Sequence, residues 1–162
     1  MGIIGNNASS YYVETAAGII IIQIVNGKLT SLKFAVDEKH CHNAIENCEI
    51  FDLDKRLKSY FDGEKVDFSD VPVDMSYLTD FGQKVMDQLR TVSYGCIISY
   101  SELAEMAGSP RAARAVGNVM ASNRTPVVIP CHRVVAAKGK IGGFGLGIEC
   151  KRILLKLEGI SL

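Results

Sequence analysis

The feature that most constrains the fold of this chain is an Asn-Gly pair at residues 26–27, which separates two apolar runs, GIIIIQIV and KLTSLKF. Asn-Gly suits a two-residue hairpin turn, because both turn residues need a positive φ. β-Branched residues, which favour strands, are frequent in the flanking runs. We therefore predict antiparallel strands near residues 11–14, 18–25 and 29–35.

A helix is predicted to follow these strands. The stretch DLDKRLKSYFDG begins with Asp52 as a candidate cap and ends at Gly63. Its apolar residues recur at helical spacing, namely Leu53, Leu57, Tyr60 and Phe61. A helix with one apolar face packs onto a sheet. We place a domain boundary near residue 75, in the connecting stretch DVPVDMSYL.

The second part of the chain is predicted to be helical. Thr79 is a candidate cap for a helix with Phe81, Val85, Met86 and Leu89 on one face. SELAEMAGS predicts a short helix closing at Gly108, and SPRAARAVGNVMASN predicts another with Pro110 near its first turn. Two helices joined by a glycine-containing turn outline a helix-turn-helix, although many helical hairpins bind nothing.

The predicted fold class is therefore α/β in two parts. Residues 1–75 form an N-terminal antiparallel sheet with a helix, a support domain, and residues 76–162 form a helical C-terminal domain with the helix-turn-helix. The formal net charge of the chain is zero, which argues against a strongly basic nucleic-acid binder. The first part has 7 Lys/Arg and 12 Asp/Glu, a net of −5, and the second has 11 and 6, a net of +5. The two parts therefore present opposite surfaces.

The sequence also predicts a location. The longest apolar run, residues 16–25, contains Gln23 and is too short to span a bilayer. No signal-peptide pattern precedes it. The five cysteines, at positions 41, 48, 96, 131 and 150, are odd in number and lack the spacing of a disulfide framework. We therefore expect a reducing, cytoplasmic compartment and free thiols.

The candidate nucleophile lies in IPCHRV, residues 129–134. A thiol reacts as its thiolate, and a nearby imidazole or cation lowers its pKa. Adjacent side chains do not meet directly, however, so His132 needs an indirect route to Cys131. The alternatives are a buried inert thiol for Cys131 and a core histidine for His132.

Several motifs together resemble the O6-alkylguanine-DNA alkyltransferases, the methylated-DNA–protein cysteine methyltransferases. PCHRV stands at 130–134, RAVG of the recognition helix at 114–117, and the upstream asparagine at Asn123. GGFGLGIECKRILLKLEG follows at 142–159. These elements occur in the family's order and spacing, whereas residues 1–75 resemble the family only in outline.

The resemblance implies direct DNA repair. The Cys131 thiolate would take the alkyl group from O6 of guanine, or from O4 of thymine, and each molecule would act once, without a cofactor or a metal. His132 would act as a base on Cys131 through a bridging water, and Glu158 would orient and stabilise the imidazole. With this relay, the pKa of Cys131 is expected to lie below about 8.5. Asn123 would hold the bend between the recognition helix and the active-site segment.

The resemblance also implies the substrate contacts. Tyr100 would donate a hydrogen bond to a flipped guanine, and the carbonyl of Val134 and the amide of Gly145 would read the guanine edge. Arg114 would fill the gap that the base leaves in the duplex. Ala113 and Ala115, the small residues that flank Arg114, would allow close approach to the minor groove, and Gly117 would also contact DNA. The implied partner is double-stranded DNA containing O6-alkylguanine, bound by a monomer without membrane association.

Other interpretations remain open at this point. A non-catalytic DNA-damage binder of the alkyltransferase-like kind would lack the cysteine, and a transcriptional regulator has no use for PCHRV. Tyr100 can be a core residue, Glu158 a solvated helix residue, and Arg133 a structural ion-pair partner. Phe144-Gly145 stands where many relatives carry Tyr-Ser, a departure that bears on the substrate range.

A second cluster of reactive side chains lies in KHCHNAIENC, and its members are His40, Cys41, His42 and Cys48. These residue types can bind zinc. Their spacing matches no standard zinc knuckle, so we predict an exposed loop or helix start without a metal.

Overall fold

The computed structural model describes residues 7–35, 41, 43–48 and 50–162. They divide into two units, each with its own core. The first contains the described residues up to 66 together with 70–74, and the second contains 67–69 and 75–162.

The first unit is built on a four-stranded sheet in the order β3-β2-β1-β4. The strands are β1 (Ala8–Thr15), β2 (Gly18–Val25), β3 (Lys28–Phe34) and β4 (Ile45–Glu46). The predicted hairpin is confirmed, because Asn26 and Gly27 join antiparallel β2 and β3 with φ angles of 50° and 75°. β4 pairs parallel to β1. The sequence did not predict β4, because two exposed residues carry no alternating pattern.

One helix packs on this sheet. α1 (Leu53–Phe61) contacts β1 and buries Leu53, Leu57 and Tyr60. The expected cap is wrong: Asp52 has a left-handed backbone, with a φ of 53°, and its side chain makes no capping hydrogen bond. A capping side chain reaches the first-turn amides from an extended backbone, which Asp52 does not have.

The segment 70–74 belongs to the first unit because it bonds to β3. The amide of Leu29 donates to the carbonyl of Pro72 at 2.8 Å, and the amide of Asp74 donates to the carbonyl of Leu29 at 2.9 Å. Residues 70–74 follow α1 in the sequence, and this short pairing returns them to β3 at the edge of the sheet.

The second unit contains α2 (Asp80–Arg90), α3 (Tyr100–Met106), α4 (Ala113–Ala121) and α5 (Ile148–Leu157). The predicted cap of α2 is confirmed, because the Thr79 side chain accepts from the amide of Gly82 at 3.2 Å. Ser99 and Glu102 form a capping box at the start of α3. No helix within the described part of the chain is long and apolar enough to cross a membrane.

The predicted helix pair is present as α3 and α4, which contact each other and α2. The predicted start of α4 is wrong, since the helix begins three residues after Pro110. The amide of Ala112 donates to the carbonyl of Ser109 at 2.9 Å, which closes a turn around Pro110. Proline favours the second position of such a turn.

The second unit is not wholly helical. β5 (Ile98–Ser99) and β6 (Val134–Val135) form a parallel pair, with Ile98 opposite Val134. This pairing places the start of α3 beside the residues that follow Cys131.

Candidate active site

Cys131 begins a single 3-10 turn, Cys131–Arg133. Its side chain is buried, since the residue is only 6% exposed, and His132 is fully buried. The turn is fixed by its backbone, because the amide of Arg133 donates to the carbonyl of Pro130 at 3.0 Å. The candidate nucleophile therefore sits on a short, ordered segment inside the second unit.

Asn123 holds the bend that leads from α4 to this turn. Its side-chain nitrogen donates to the carbonyl of Ile129 at 3.0 Å and lies 3.0 Å from Sγ of Cys131. Its side-chain oxygen accepts from the amide of Thr125 at 3.0 Å and from the Thr125 hydroxyl at 3.3 Å. Within the bend, Val127 has a φ of 75°, a strained conformation for a β-branched residue. One side chain thus connects the end of α4 to the thiol.

The carboxylate of Glu158 is the centre of a buried network. Oε1 accepts from Nε2 of His132 at 2.6 Å and from a terminal nitrogen of Arg133 at 3.0 Å. Oε2 accepts from Nε of Arg133 at 2.9 Å and from the amide of Gly95 at 3.0 Å. Since a carboxylate only accepts, Nε2 of His132 carries a hydrogen, and Nδ1 is the basic nitrogen of the neutral ring.

The charges of this network follow from its burial and its hydrogen bonds. Burial by itself would raise the pKa of Glu158, but the hydrogen bonds from His132 and Arg133 outweigh it and lower that pKa to about 2. Burial lowers the pKa of His132, although Glu158 opposes this shift. At neutral pH the structure therefore contains an ionised Glu158, a charged Arg133 and a neutral imidazole that can accept a proton.

The expected low pKa of Cys131 is wrong for the protein without DNA. Burial raises the pKa of the Cys131 thiol to about 11, because a thiolate enclosed in this way loses its hydration. The hydrogen bond from Asn123 and the charge of Lys151 lower the pKa, but by less. The thiol is therefore neutral at neutral pH, and any reaction of its sulfur must first remove its proton.

Tyr100 lies against the glycine loop, residues 139–147. The Tyr100 hydroxyl donates to the carbonyl of Gly143 at 3.4 Å. Gly142 has a φ of 72°, and a Cβ there would lie 3.2 Å from both the Tyr100 ring and the amide of Ala136. The chain therefore needs glycine at position 142 so that the loop can pass beside Tyr100.

Lys151 joins this loop to the cysteine segment. Its Nζ donates to the carbonyl of Val134 at 2.5 Å and to the carbonyl of Gly143 at 3.1 Å. The residue is fully buried, and burial lowers the pKa of Lys151 to about 8 although Cys131 opposes the shift. Lys151 thus positions the Val134 carbonyl, to which the family resemblance assigns guanine recognition.

The residues predicted to contact DNA lie on α4. Arg114 and Ala115 are exposed, and Ala113 and Gly117 are partly exposed. A Cβ on Gly117 would lie 4.0 Å from the Tyr100 ring. At Gly117, α4 therefore approaches the Tyr100 ring.

Comparison with known proteins identifies the family to which the chain is related. The model of the DNA-binding domain of 6-O-methylguanine DNA methyltransferase matches residues 80–160. The methylated-DNA–protein-cysteine methyltransferase of Sulfolobus acidocaldarius is 33% identical over 155 residues, 89% of this chain and 96% of that protein. The chain belongs to this family.

Other methyltransferases of the family are similar over different lengths. The Mycobacterium tuberculosis H37Rv protein of the same name is 48% identical over 103 residues, 64% of this chain, and the match spans only 61% of that relative. The crystal structure of M. tuberculosis OGT in complex with DNA has a TM-score of 0.78 and 36% identity, covering 93% of this chain and 92% of that one. The Pyrococcus kodakaraensis O6-methylguanine-DNA methyltransferase structure has a TM-score of 0.71 and 27% identity, with 94% and 99% coverage.

In this methyltransferase-family chain the structure brings together most of the predicted site residues, namely Asn123, Cys131, His132 and Glu158, with Tyr100 and Val134 beside the loop. Gly145 lies in the exposed part of that loop, and a Cβ there would meet no atom within 4 Å. Its predicted contact with guanine stays a prediction.

The sequence did not predict the role of Lys151, and it gave Arg133 only a supporting one. A signal for Lys151 exists, because Lys151, Leu154, Leu155 and Glu158 recur at the spacing of one helix face and all four are buried. A lysine on an apolar stripe needs a buried partner. Arg133 follows His132 directly, and nothing in its spacing indicates that it shares the carboxylate of Glu158.

No group of three or more potential metal ligands occurs within the described residues of this methyltransferase-family chain. His40 and His42 of the predicted cluster lie outside those residues. The expectation of no metal there stays a prediction.

Proposed function

We propose that this chain repairs DNA directly by moving an alkyl group from O6 of guanine, or O4 of thymine, to Sγ of Cys131. The observation that carries the proposal is a buried set of side-chain contacts around Cys131. Glu158 bonds to His132, which follows Cys131 in the same turn, and the Asn123 side chain contacts the thiol. The names of the relatives, methylated-DNA–protein-cysteine methyltransferases, support the same reaction.

In the proposed reaction Nδ1 of neutral His132 takes the proton of the Cys131 thiol through a water molecule. The thiolate attacks the alkyl carbon, an S–C bond forms, and the C–O6 bond breaks with its electron pair passing to the guanine oxygen. The Tyr100 hydroxyl and the amide of Gly145 stabilise the departing base by hydrogen bonds. The thioether is stable, so each protein molecule reacts once.

The high pKa of Cys131 gives this mechanism an order of events. A neutral thiol in the DNA-free protein does not react with stray electrophiles, because the thiolate is the nucleophile. Neutral His132 is the base that removes the proton when the alkylated base lies against the sulfur. Glu158 then stabilises the imidazolium that forms.

The proposal includes the partner and the setting. Residues 76–162 bind double-stranded DNA as a monomer, with α4 at the minor groove and Arg114 in the place of the flipped base. Residues 1–75 support this domain. The reaction needs no cofactor or metal, and the protein works in the cytoplasm, where it reaches DNA. A non-catalytic damage binder is the rival, but it would not need a cysteine held by Asn123 and served by His132.

Mass spectrometry tests the reaction. We expect the protein, mixed with an oligonucleotide containing O6-methylguanine, to gain the mass of one methylene group on the tryptic peptide 125–133, which contains Cys131. The yield should not exceed one group per molecule, and a Cys131→Ala variant should gain none.

Binding of the damaged oligonucleotide without any mass gain would favour the non-catalytic rival. Repeated turnover, or labelling of another cysteine, would contradict the mechanism. An exposed-cysteine variant, Cys96→Ser, is the matched control and should react like the unchanged protein.

A further inference from the structure

Residues 92–95 form a short segment before β5 that bonds to both members of the buried ion pair between Arg133 and Glu158. The Val92 carbonyl accepts from a terminal nitrogen of Arg133 at 2.6 Å, and the Gly95 amide donates to Oε2 of Glu158 at 3.0 Å. Gly95 has a φ of 77°, and a Cβ there would lie 3.4 Å from the backbone carbonyl of Glu158. The segment therefore runs directly against the backbone and the carboxylate of Glu158.

Tyr94 lies within this segment and contacts the end of α5. Its hydroxyl donates to the carbonyl of Leu157 at 2.9 Å, although the two residues are 63 positions apart. Leu157 is the last residue of α5, and the last carbonyls of a helix lack an intrahelical partner. The three carbonyls before it accept from backbone amides of residues 158–160. At Leu157 a tyrosine hydroxyl is the donor instead, one residue before Glu158.

The Tyr94 ring also lies near the cation of the ion pair. Cζ of Arg133 is 6.0 Å from the ring centroid, at the outer limit of cation–π attraction. Burial raises the pKa of the Tyr94 hydroxyl, the negative charge of Glu158 raises it further, and Arg133 opposes both. The hydroxyl is therefore protonated at neutral pH and remains a donor. The proposed mechanism gives Tyr94 no task.

We propose that Tyr94 is a positioning residue for the His132 base and acts through Glu158. The Glu158 carboxylate accepts four hydrogen bonds, one of them from Nε2 of His132 at 2.6 Å. A long side chain meets four donors at once only while its own backbone stays in place, and helix ends fray. The Tyr94 hydroxyl holds that backbone. The consequence for repair rests on the proposed function, because a poorly oriented imidazole takes the proton of Cys131 more slowly.

Proton NMR of the DNA-free protein tests the positioning without any repair assay. The short bond from His132 to Glu158 should give a downfield ring N–H signal, assigned by ¹⁵N-histidine labelling and through-bond correlation to the His132 backbone. In Tyr94→Phe, which keeps the ring and loses the hydroxyl, we expect this signal to move upfield or to broaden as the hydrogen exchanges with water. Tyr11→Phe, in β1 of the first unit, is the matched control and should leave the signal unchanged.

Methyl-transfer rates show whether the effect passes through Glu158. Since misplacement by about 1 Å can cost about a hundredfold in rate, we expect Tyr94→Phe to slow single-turnover transfer by about tenfold. In a Glu158→Gln background the same change should cost less than about twofold, because the carboxylate that it positions is gone and members of one network do not act additively. Tyr11→Phe should leave the rate unchanged in both backgrounds.

Two results would overturn the proposal. One is a His132 N–H signal that is absent from the unchanged protein or unmoved in Tyr94→Phe, and the other is a rate loss of equal size in both backgrounds, which marks a merely structural tyrosine. If the double variant does not fold, the NMR result decides alone. A shifted signal in a protein that transfers no methyl group would contradict the proposed function and leave the positioning of His132 supported.

Discussion

At the scale of single residues, burial sets the chemistry of this site more than charge does. Cys131, His132, Lys151 and Glu158 are all buried, and three of them have the pKa shift that favours their neutral form. Glu158 is the exception, because three hydrogen bonds from His132 and Arg133 stabilise its ionised form. At neutral pH the site therefore contains a neutral Cys131 thiol, a neutral His132 imidazole and an ionised Glu158 carboxylate.

Lys151 gives a residue-scale prediction. In Lys151→Met the carbonyls of Val134 and Gly143 lose their shared donor, so the loop and the cysteine segment lose their connection. We expect single-turnover methyl transfer to slow by about tenfold or more, equivalent to roughly 1.4 kcal/mol of barrier. The free energy of unfolding should fall by about 1–3 kcal/mol, because the carbonyls of Val134 and Gly143 are left without their donor. Single-turnover rates measure the first effect, and urea unfolding measures the second.

The matched control for Lys151 is Lys156→Met on the same helix, where the lysine is exposed. It should leave both the rate and the stability unchanged. If Lys151→Met unfolds the protein, or if its rate equals that of the control, the positioning role assigned to Lys151 is wrong.

At the scale of elements, α4 joins the surface that we propose faces DNA to the thiol. Its exposed face carries Arg114, Gly117 reaches Tyr100, and Asn123 follows its end to contact Cys131. The bend at Asn123 therefore determines how the helix and the nucleophile are placed relative to each other.

Arg114→Ala is the prediction for α4. If Arg114 fills the space of the flipped base, its loss leaves the cost of unstacking uncompensated, a few kcal/mol. We expect transfer from duplex DNA to slow on the order of tenfold or more. Transfer from the free base O6-methylguanine should not change, since no base is flipped. Equal losses on both substrates would show that Arg114 acts only on the structure, and single-turnover rates distinguish the two results.

Local signals in the sequence predicted some elements well and others poorly. The β2–β3 hairpin and the Thr79 cap were predictable because both depend on neighbouring residues. β4 and β6 are two-residue strands whose partners are distant in sequence, so no local pattern marks them. The same holds in the site: the Cys-His motif is local, whereas the contact of Arg133 with Glu158 joins residues 25 apart.

At the scale of the whole molecule, Glu158 makes stability depend on pH. Its folded pKa of about 2 lies below the ordinary 4.5, so its contribution is complete above about 4.5 and is lost as the pH falls towards 2. The shift corresponds to about 3 kcal/mol. Buried His132, with a lowered pKa, also costs stability as the pH falls below 6.5, because the unfolded chain takes up the proton first.

Glu158→Gln tests this dependence. The variant leaves the Arg133 charge without its carboxylate, so we expect it to lose about 3–5 kcal/mol at neutral pH. Its remaining stability should vary less than that of the unchanged protein between pH 4.5 and pH 2. Methyl transfer should slow as well, because the imidazolium loses its counter-charge. Urea unfolding across the pH range measures the first two effects.

Glu149→Gln, at an exposed position in the first turn of α5, is the control and should follow the unchanged protein. A pH dependence in Glu158→Gln as steep as in the control would show that other carboxylates cause the acid unfolding.

The contact between the amide of Gly95 and Glu158 joins residues 63 positions apart, and it has a consequence for biosynthesis. A nascent chain on the ribosome presents PCHRV before it presents Glu158, so the carboxylate that orients the histidine is added only after the nucleophile has emerged. During that interval the thiol has no oriented base. Each newly made molecule therefore acquires an oriented base for Cys131 only after the segment that contains Glu158 has folded.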